Sequence, residues 1–223
     1  MFLKIGHRGA KAYEVENTIE SFKRAIELGA NAVELDVRKT KDGNLAVIHD
    51  DNLKRVFGRD VPVSQATLRE LKQLTGNKLP ELGEALQSIQ RKVEKILIEL
   101  KEVGDEREVL AIIRKKKLRD RVIIVSFHED TLWEVRGLDK KIETGLIYSK
   151  HKNPIAAALK LDAQYLVAHY RATGAKSIED AHKDRLKVIV WTINTKRGAK
   201  AYREKDVDGI ATDKPDIFSP AEP

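Results

Sequence analysis

The stretch that decides the fold runs from Glu34 to His49 and reads ELDVRKTKDGNLAVIH. Asp42-Gly43 separates two apolar runs, and this arrangement is a strong hairpin signal. Alternate residues of a strand share a face, so Glu34 and Asp36 point the same way, with Cα atoms about 6–7 Å apart. The turn brings His49 opposite position 35 or 36, depending on whether it has two residues or carries a bulge. Unless it is only a charged surface hairpin, this stretch gathers two carboxylates and an imidazole.

Length and composition restrict the class of protein. The 223 residues suffice for one domain with a sizeable core, and no apolar stretch is long enough to predict a membrane span. The segment Met1–His7 is typical of a first strand, because it lacks the cationic region and cleavage site of a signal peptide. The absence of cysteine excludes a disulfide framework and a thiolate metal site. We therefore expect a cytoplasmic protein without stable membrane insertion.

Charge is the second compositional feature. Charged residues make up 35% of the chain, a balance common in proteins from hot environments. The net charge of +7 suits an anionic substrate or surface. The run Lys115–Lys117 is typical of a solvated helix face, and no nucleic-acid-binding motif accompanies it. These features favour a thermophile protein whose partner is a small anionic molecule, not a nucleic acid.

Strands and helices alternate along most of the chain. Residues 2–6 predict a buried strand, and Asn17 predicts the cap of a helix that stops at Gly29. Residues 32–37 predict the second strand, and a helix near 81–92 precedes a third at 96–100. Further strands are predicted at 121–126, 143–148, 164–168, 187–192 and 208–212, separated by helices over 105–117, 130–137, 154–161, 177–184 and 196–204.

About eight strand-then-helix units in this length predict an α/β fold, a (β/α)₈ TIM barrel. The alternative is an open doubly wound sheet, but no G-x-G-x-x-G turn follows the first strand. We predict a single domain over residues 1–223. Residues 51–80, with one helix around 65–74, form a short insertion after the second strand's hairpin.

Polar residues follow most of the predicted strands. In a (β/α)₈ barrel the carboxyl ends of all strands meet at one rim, where the active site lies. The predicted rim therefore carries His7, Arg8, Glu34, Asp36, Glu99, Lys101, Ser126, Phe127, His128, Tyr148, His169, Trp191, Asn194 and Asp213.

Several of these residues have a simpler interpretation. Glu99 and Lys101 could form an ion pair, and Trp191 could belong to the core. His128 and His169 are more often structural histidines than catalysts.

Three of the rim residues are carboxylates. Glu34, Asp36 and Glu99 offer hard oxygen ligands, which select Mg²⁺, Ca²⁺ or Mn²⁺. Buried together without a cation, they would repel one another and their pKa values would rise. One divalent cation removes that repulsion.

The remaining charged groups complete a site for phosphate chemistry. His7 and His49 are available for acid–base work near neutral pH. Arg8 and Lys101 can hold a phosphate. A metal, two imidazoles and two cations suit the cleavage of a phosphodiester.

At these residues the sequence resembles the glycerophosphodiester phosphodiesterase family, relatives of the phosphoinositide-specific phospholipase C-like barrel phosphodiesterases. The matching motifs run in family order over nearly the whole chain. They are His7-Arg8-Gly9, Glu16-Asn17-Thr18, Glu34-Leu35-Asp36-Val37, Lys41-Asp42-Gly43, His49-Asp50, Glu99-Leu100-Lys101, Trp191-Thr192-Ile193-Asn194 and Gly209-Ile210-Ala211-Thr212-Asp213.

The resemblance implies a metal-dependent hydrolase of lipid and glycerol metabolism that splits glycerophosphodiesters into an alcohol and glycerol phosphate. The attacking group is water or the neighbouring glycerol hydroxyl. Carried over position by position, the roles are metal ligands for Glu34, Asp36 and Glu99, the acid–base pair for His7 and His49, and substrate or phosphate contacts for Arg8, Lys101 and Trp191.

Two departures from the family pattern bear on the outer pocket. Val15 stands where the family usually has proline, and Val56-Phe57 replaces two threonines after Arg55. An apolar Phe57 near the rim would favour a lysophospholipase D acting on lysophospholipids. The third hypothesis, a non-catalytic phosphoester-binding barrel, would be favoured by loss of a histidine or carboxylate, and all of them are present.

Overall fold

A computed structural model describes residues 1–219, and residues 220–223 of the predicted domain lie outside it. Its main elements are β1 (Leu3–Gly6), α1 (Ile19–Glu27), β2 (Ala32–Lys39), β3 (Leu45–Val47), α2 (Lys54–Phe57), α3 (Leu68–Leu74), α4 (Leu82–Ile89), β4 (Lys95–Leu100), α5 (Glu106–Lys115), β5 (Val122–Ser126), α6 (Glu129–Leu138), β6 (Glu143–Tyr148), α7 (Pro154–Lys160), β7 (Tyr165–His169), α8 (Ala175–Lys183), β8 (Lys187–Trp191), α9 (Lys196–Arg203) and β9 (Gly209–Thr212). Short 3₁₀ turns cover Val63–Gln65, Arg119–Arg121, Tyr170–Ala172 and Pro215–Phe218.

Eight of the strands form one closed parallel barrel. Their order around it is β1-β2-β4-β5-β6-β7-β8-β9, and β9 pairs again with β1. The closure is visible at Ile5, which pairs with Ala32 on one side and Ala211 on the other. The predicted (β/α)₈ barrel is confirmed, and a closed ring excludes the open doubly wound sheet.

Alternation along the strands separates an inner core from an outer one. Leu97 packs inside the barrel, whereas Leu35 and Ile98 pack outward against the helices. The register pairs Glu34 with Leu97 and Asp36 with Glu99. Since side chains of paired residues lie on the same face of a sheet, the three acidic side chains point into the barrel.

The hairpin after β2 has a longer turn than the tightest form. Val37 pairs with Val47 and Lys39 with Leu45, so residues 40–44 make the connection. Gly43 takes a φ of +77°, which suits glycine. Ile48 N–H donates to the Asp36 carbonyl at 3.0 Å, and this register carries position 49 opposite position 35. His49 thereby reaches the mouth of the barrel.

Residues 51–80 fold over this hairpin as a small addition with its own apolar cluster. The cluster contains Ala46, Ile48, Leu53, Val63, Ala66, Leu68, Leu71 and Leu79, and Phe57 packs against it. Phe57 belongs to this cluster and is not part of the cavity wall described below. The sequence hint that Phe57 forms an apolar pocket at the rim is therefore wrong, because the insertion uses that side chain for its own core.

The first helix begins one residue later than predicted. Thr18, not Asn17, is the N-cap, and its hydroxyl accepts from Ser21 N–H at 3.2 Å. Asn17 has a φ of +58° and directs its amide elsewhere. Within residues 1–219, no helix combines the length and the apolar character needed to cross a membrane.

Candidate active site

A cavity of about 150 Å³ opens at the carboxyl ends of the barrel strands. One side of its wall is charged and the other is apolar. The charged side consists of His7, Arg8, Glu34, His49, Glu99 and Lys101, and the apolar side of Leu97, Val125, Phe127, Ile147, Val167, Trp191 and Ala211. Every site residue predicted from the sequence is thus in the cavity wall except Asp36, which is fully buried beside Glu99.

Three carboxylates converge at this site. One oxygen each from Glu34, Asp36 and Glu99 lies within 4.8 Å of the others. Glu34 Oε1 and Asp36 Oδ1 are buried and have no hydrogen-bond partner among the described residues. A buried carboxylate oxygen without a donor is costly, so these atoms indicate a missing partner.

The carboxylates differ in how easily they ionise. Burial, followed by repulsion from Asp36 and Glu99, raises the pKa of Glu34 well above its ordinary value. Burial and the Asp36 charge likewise raise the pKa of Glu99 to about 7. Burial opposes ionisation of Asp36 too, but the charges of Arg8 and Lys101 outweigh it and lower its pKa to about 2.

These observations fit a divalent cation. The donor set consists of carboxylate oxygens alone, which hard cations such as Mg²⁺, Ca²⁺ and Mn²⁺ prefer. The two unpartnered oxygens supply ligand atoms, and a cation would relieve the repulsion that raises the pKa values of Glu34 and Glu99.

Two cationic side chains border the carboxylates. Arg8 donates its backbone N–H to Glu34 Oε2 at 2.8 Å, and its Nε lies 3.3 Å from Asp36 Oδ2. That Nε contact lacks the alignment of a hydrogen bond. Lys101 Nζ donates to Glu99 Oε1 at 2.5 Å and lies 3.5 Å from Asp36 Oδ1. The Glu99–Lys101 ion pair considered as the simpler interpretation is present, and it lies in the cavity wall.

Each cavity histidine is held by one carboxylate. His7 Nδ1 lies 2.7 Å from Asp213 Oδ1, and His49 Nδ1 lies 2.6 Å from Asp50 Oδ1. A carboxylate only accepts, so Nδ1 carries the hydrogen and Nε2 is left to exchange a proton with a ligand. Burial, the largest influence, lowers the pKa of both imidazoles although the neighbouring acids oppose it.

Several groups behind the cavity were not assigned a role from the sequence. Asn17 Nδ2 donates to Asp36 Oδ2 at 2.8 Å, and its Oδ1 accepts from Asp36 N–H at 3.3 Å. Asn194 Nδ2 donates to Asp213 Oδ2 at 2.8 Å. Asn17, Asn194 and Asp213 stand in motifs quoted above, so the sequence signal was present, but their hydrogen-bond partners emerge only from the folded geometry.

Aromatic side chains form the outer edge of the apolar wall. Trp191 donates its indole N–H to the Val167 carbonyl at 3.0 Å, and its ring meets Phe127 edge to face at 5.9 Å. Trp191 therefore combines the two interpretations offered from the sequence, since it packs on the inner core and also lines the cavity. The His169 ring lies 5.1 Å from Trp191, and His128 Nε2 lies 3.2 Å from the Lys101 carbonyl.

Comparison with known proteins identifies what this barrel resembles. A family model described as the glycerophosphoryl diester phosphodiesterase family matches residues 7–217. A glycerophosphodiester phosphodiesterase of Caldanaerobacter subterraneus subsp. tengcongensis is 34% identical, over 97% of this chain and 96% of its own.

Solved structures give the same result. The glycerophosphodiester phosphodiesterase of Thermotoga maritima is 34% identical, with a TM-score of 0.83 over 98% of this chain and 97% of its own. An Oleispira antarctica phosphodiesterase, solved in complex with the product sn-glycerol-3-phosphate, is 26% identical, with a TM-score of 0.85 over 95% of this chain and 93% of its own.

Proposed function

The chain belongs to the glycerophosphoryl diester phosphodiesterase family, and from this premise we propose that it hydrolyses glycerophosphodiesters with one divalent cation and a histidine pair. The products are an alcohol and glycerol phosphate. The cation would be held by Glu34, Asp36 and Glu99, whose oxygens converge in the cavity. When bound, it supplies Lewis-acid polarisation of a phosphate oxygen.

The protein's own residues supply binding and proton transfer. Arg8 and Lys101 attract the phosphodiester anion to the charged wall. One histidine removes the proton of the attacking hydroxyl as the new O–P bond forms. The other gives its proton to the leaving oxygen as the old P–O bond breaks, so charge and protons balance. The attacker is water, or the neighbouring glycerol hydroxyl, in which case water then opens the cyclic phosphate.

The observation that carries this proposal is the pair of unpartnered carboxylate oxygens beside two histidines. Glu34 Oε1 and Asp36 Oδ1 have no donor among the described residues, while His7 and His49 keep Nε2 available. A structural ion-pair network would instead satisfy its buried oxygens. The product complex of the Oleispira antarctica relative supports glycerol phosphate as a product.

The test is hydrolysis of glycerophosphocholine, followed by release of choline and glycerol phosphate. We expect a chelator to abolish turnover and Mg²⁺, Ca²⁺ or Mn²⁺ to restore it. His7→Ala and His49→Ala should each reduce kcat by about 10²–10⁴-fold. His151→Ala is the matched control, since the polar partners of His151 within residues 1–219 are Glu129 and Asn153, both at the surface. Full activity in excess chelator, in protein free of bound metal, would rule out the metal-dependent mechanism.

A second candidate function has a specific observation in its favour. The apolar wall of the cavity continues to Phe127, which is 44% exposed beside Trp191. An acyl chain could lie on this wall, as a lysophospholipase D requires. The discriminating measurement is kcat/KM for lysophosphatidylcholine against glycerophosphocholine, in wild type and in Phe127→Ser. A preference for the lipid that Phe127→Ser abolishes would favour the lysophospholipase.

A further inference from the structure

Arg55, in the inserted segment, lies between two carboxylates that belong to different loops. Its Nε donates to Asp50 Oδ2 at 2.5 Å and its NH2 to Asp50 Oδ1 at 3.1 Å. On the other side NH1 and NH2 donate to Glu16 Oε2 and Oε1 at 2.9 and 2.7 Å. A planar guanidinium fits two such forks at once, whereas an ammonium does not.

Both carboxylates lead directly to the cavity. Asp50 Oδ1 is the partner of His49 Nδ1, and Glu16 Oε1 accepts from Arg8 NH1 at 2.9 Å. Glu16 is 8% exposed and is fixed in place, so it provides an anchor for Arg55. Hydrogen bonds from Arg55 and then from His49 hold the pKa of Asp50 at about 2, which keeps this carboxylate ionised.

The insertion places Arg55 through its own fold. Leu53, just before the single turn of α2, is fully buried in the insertion's apolar cluster. Gly58, with a φ of +66°, ends that turn. The packing of this small cluster therefore fixes the direction from which Arg55 reaches the site.

Arg55 is not placed to bind substrate itself. It is absent from the cavity wall, and all its guanidinium nitrogens already donate to Asp50 or Glu16. We propose that Arg55 is a positioning residue: anchored on Glu16, it holds Asp50 against His49 and so fixes the imidazole for proton transfer. This proposal rests on the proposed role of His49.

The test is a double-mutant cycle with glycerophosphocholine as substrate and Mg²⁺ at saturation. In the wild-type background Arg55→Gln should lower kcat by about 10–100-fold, the size of effect known for partners that orient metal-ligating histidines, with KM changed much less. In the His49→Ala background the same substitution should change kcat less than about twofold, because the imidazole that Arg55 positions through Asp50 is gone.

The controls separate this proposal from its premise. Lys54→Gln removes the neighbouring cation, whose ion-pair partner in the described part of the chain is Asp60, and should leave kcat unchanged. If Arg55→Gln does not fold, Arg55→Lys replaces it in the cycle, since lysine keeps the charge but not the double fork. Full activity of His49→Ala would refute the role of His49 in the proposed mechanism, on which the positioning role rests. Three results would refute the positioning role alone, provided that His49→Ala shows the expected loss of activity. In the wild-type background Arg55→Gln could leave kcat unchanged or alter only KM, or it could lower kcat by the same factor in both backgrounds.

Discussion

At the scale of single residues, the cavity histidines share one design. Each imidazole gives its Nδ1 hydrogen to a carboxylate, and each carboxylate is held in turn by a second group. For Asp213 that group is Asn194, and for Asp50 it is Arg55. The imidazole tautomer and orientation therefore depend on residues that do not face the cavity.

Asp213→Asn tests this dependence at His7. Burial opposes ionisation of Asp213, but the hydrogen bond from His7 outweighs it and lowers its pKa to about 2, so the group is an anion at any working pH. An amide lacks that charge, and if it presents its NH₂ to His7 the wrong tautomer results. We expect kcat for glycerophosphocholine to fall by about 10²–10⁴-fold, as for loss of a positioned acid or base.

The matched control for Asp213→Asn is Asp216→Asn, three positions later. Asp216 accepts from the Tyr13 hydroxyl at the surface and has no contact with the cavity histidines. Asp216→Asn should leave kcat within about twofold of wild type, because it changes no group in the cavity. The exposed hydrogen bond that it weakens contributes only about 1 kcal/mol to stability. Wild-type activity in Asp213→Asn would show that His7 needs no carboxylate partner.

At the scale of elements, the connection between β1 and α1 holds the charged wall together. Gly9 has a φ of +84°, and a Cβ at this position would lie 2.3 Å from Ser21 Oγ and 2.5 Å from the Ser21 carbonyl carbon. The preceding residue, Arg8, also has a positive φ of 53°. Close approach of this loop to α1 thus sets where Arg8 and His7 face the cavity.

Gly9→Ala should therefore impair both stability and turnover. The added methyl group meets backbone atoms of α1, so the loop must move and carry Arg8 with it. Gly29→Ala is the matched control, since Gly29 has a φ of +94° and open space around it. Replacing Gly29 should cost only about 1 kcal/mol from the backbone conformation, with kcat preserved. The measurements are the Tm of thermal unfolding and kcat for both variants. Equal losses in Gly9→Ala and Gly29→Ala would refute the packing argument.

The helices and strands could be predicted from the sequence where apolar residues follow a regular pattern. Strands such as β6 and β8 are short apolar runs, and parallel pairing follows from the helices between them. The carboxylates could be placed because Glu34 and Asp36 share a strand face whatever the loops do. Asn17 was mistaken for the helix cap because Asn and Thr18 both suit that position, one residue apart.

The parts that escaped prediction depend on irregular backbone. The insertion has no repeating pattern. Neither the packing of Phe57 against the insertion's cluster nor the hydrogen bonds from Arg55 to Glu16, 39 positions away, could therefore be predicted from spacing. The contact between Phe127 and Trp191 could not be predicted either, because the order of residues along the chain does not show which rings meet. Loop geometry is set by tertiary packing, and that information is not local.

At the scale of the whole molecule, closing the barrel brings three carboxylates together, and their mutual repulsion lowers the stability of the fold. Glu34, Asp36 and Glu99 come from β2 and β4, and the pairing of these strands forces their side chains together. The pKa of Glu99 is about 7 in the fold, against an ordinary 4.5. A raised carboxyl pKa means that the folded state binds a proton more tightly than the unfolded chain does.

The raised pKa of Glu99 determines in which direction its contribution to the stability of the metal-free protein changes with pH. The contribution of Glu99 to stability is full below its ordinary pKa and is lost as the pH rises through about 7. The loss is roughly 3 kcal/mol for Glu99 alone, from the difference between the two pKa values. Asp36 and Asp213, whose pKa values are about 2, act in the opposite direction only below about pH 4. His7 and His49, whose pKa values burial lowers, also act in the opposite direction, at the acidic end of the window, whereas Glu34, whose pKa is raised, acts in the same direction as Glu99.

We therefore expect the metal-free protein to lose stability between pH 5 and 8, and a divalent cation to restore it. A loss of roughly 3 kcal/mol corresponds to about 6–12 °C in Tm for a chain of this size. The gain in Tm from Mg²⁺, Ca²⁺ or Mn²⁺ should be small at pH 5, where Glu99 keeps its proton, and large at pH 8. Thermal unfolding at pH 5, 6.5 and 8, with chelator or with each cation, measures both effects.

Glu99→Gln tests whether the pH dependence of Tm and the gain from a cation arise from the three carboxylates, and Glu134→Gln is its matched control. Glutamine at position 99 keeps the shape of the side chain without the ionisation, so the metal-free Tm should vary less with pH and the gain from a cation should shrink. Glu134 is paired with Arg107 at the surface, and its replacement should leave both the slope and the gain unchanged. If wild type and Glu99→Gln show the same dependence of Tm on pH in chelator, the three carboxylates are already compensated by Arg8 and Lys101. The barrel would then have no electrostatic need for a cation at this site.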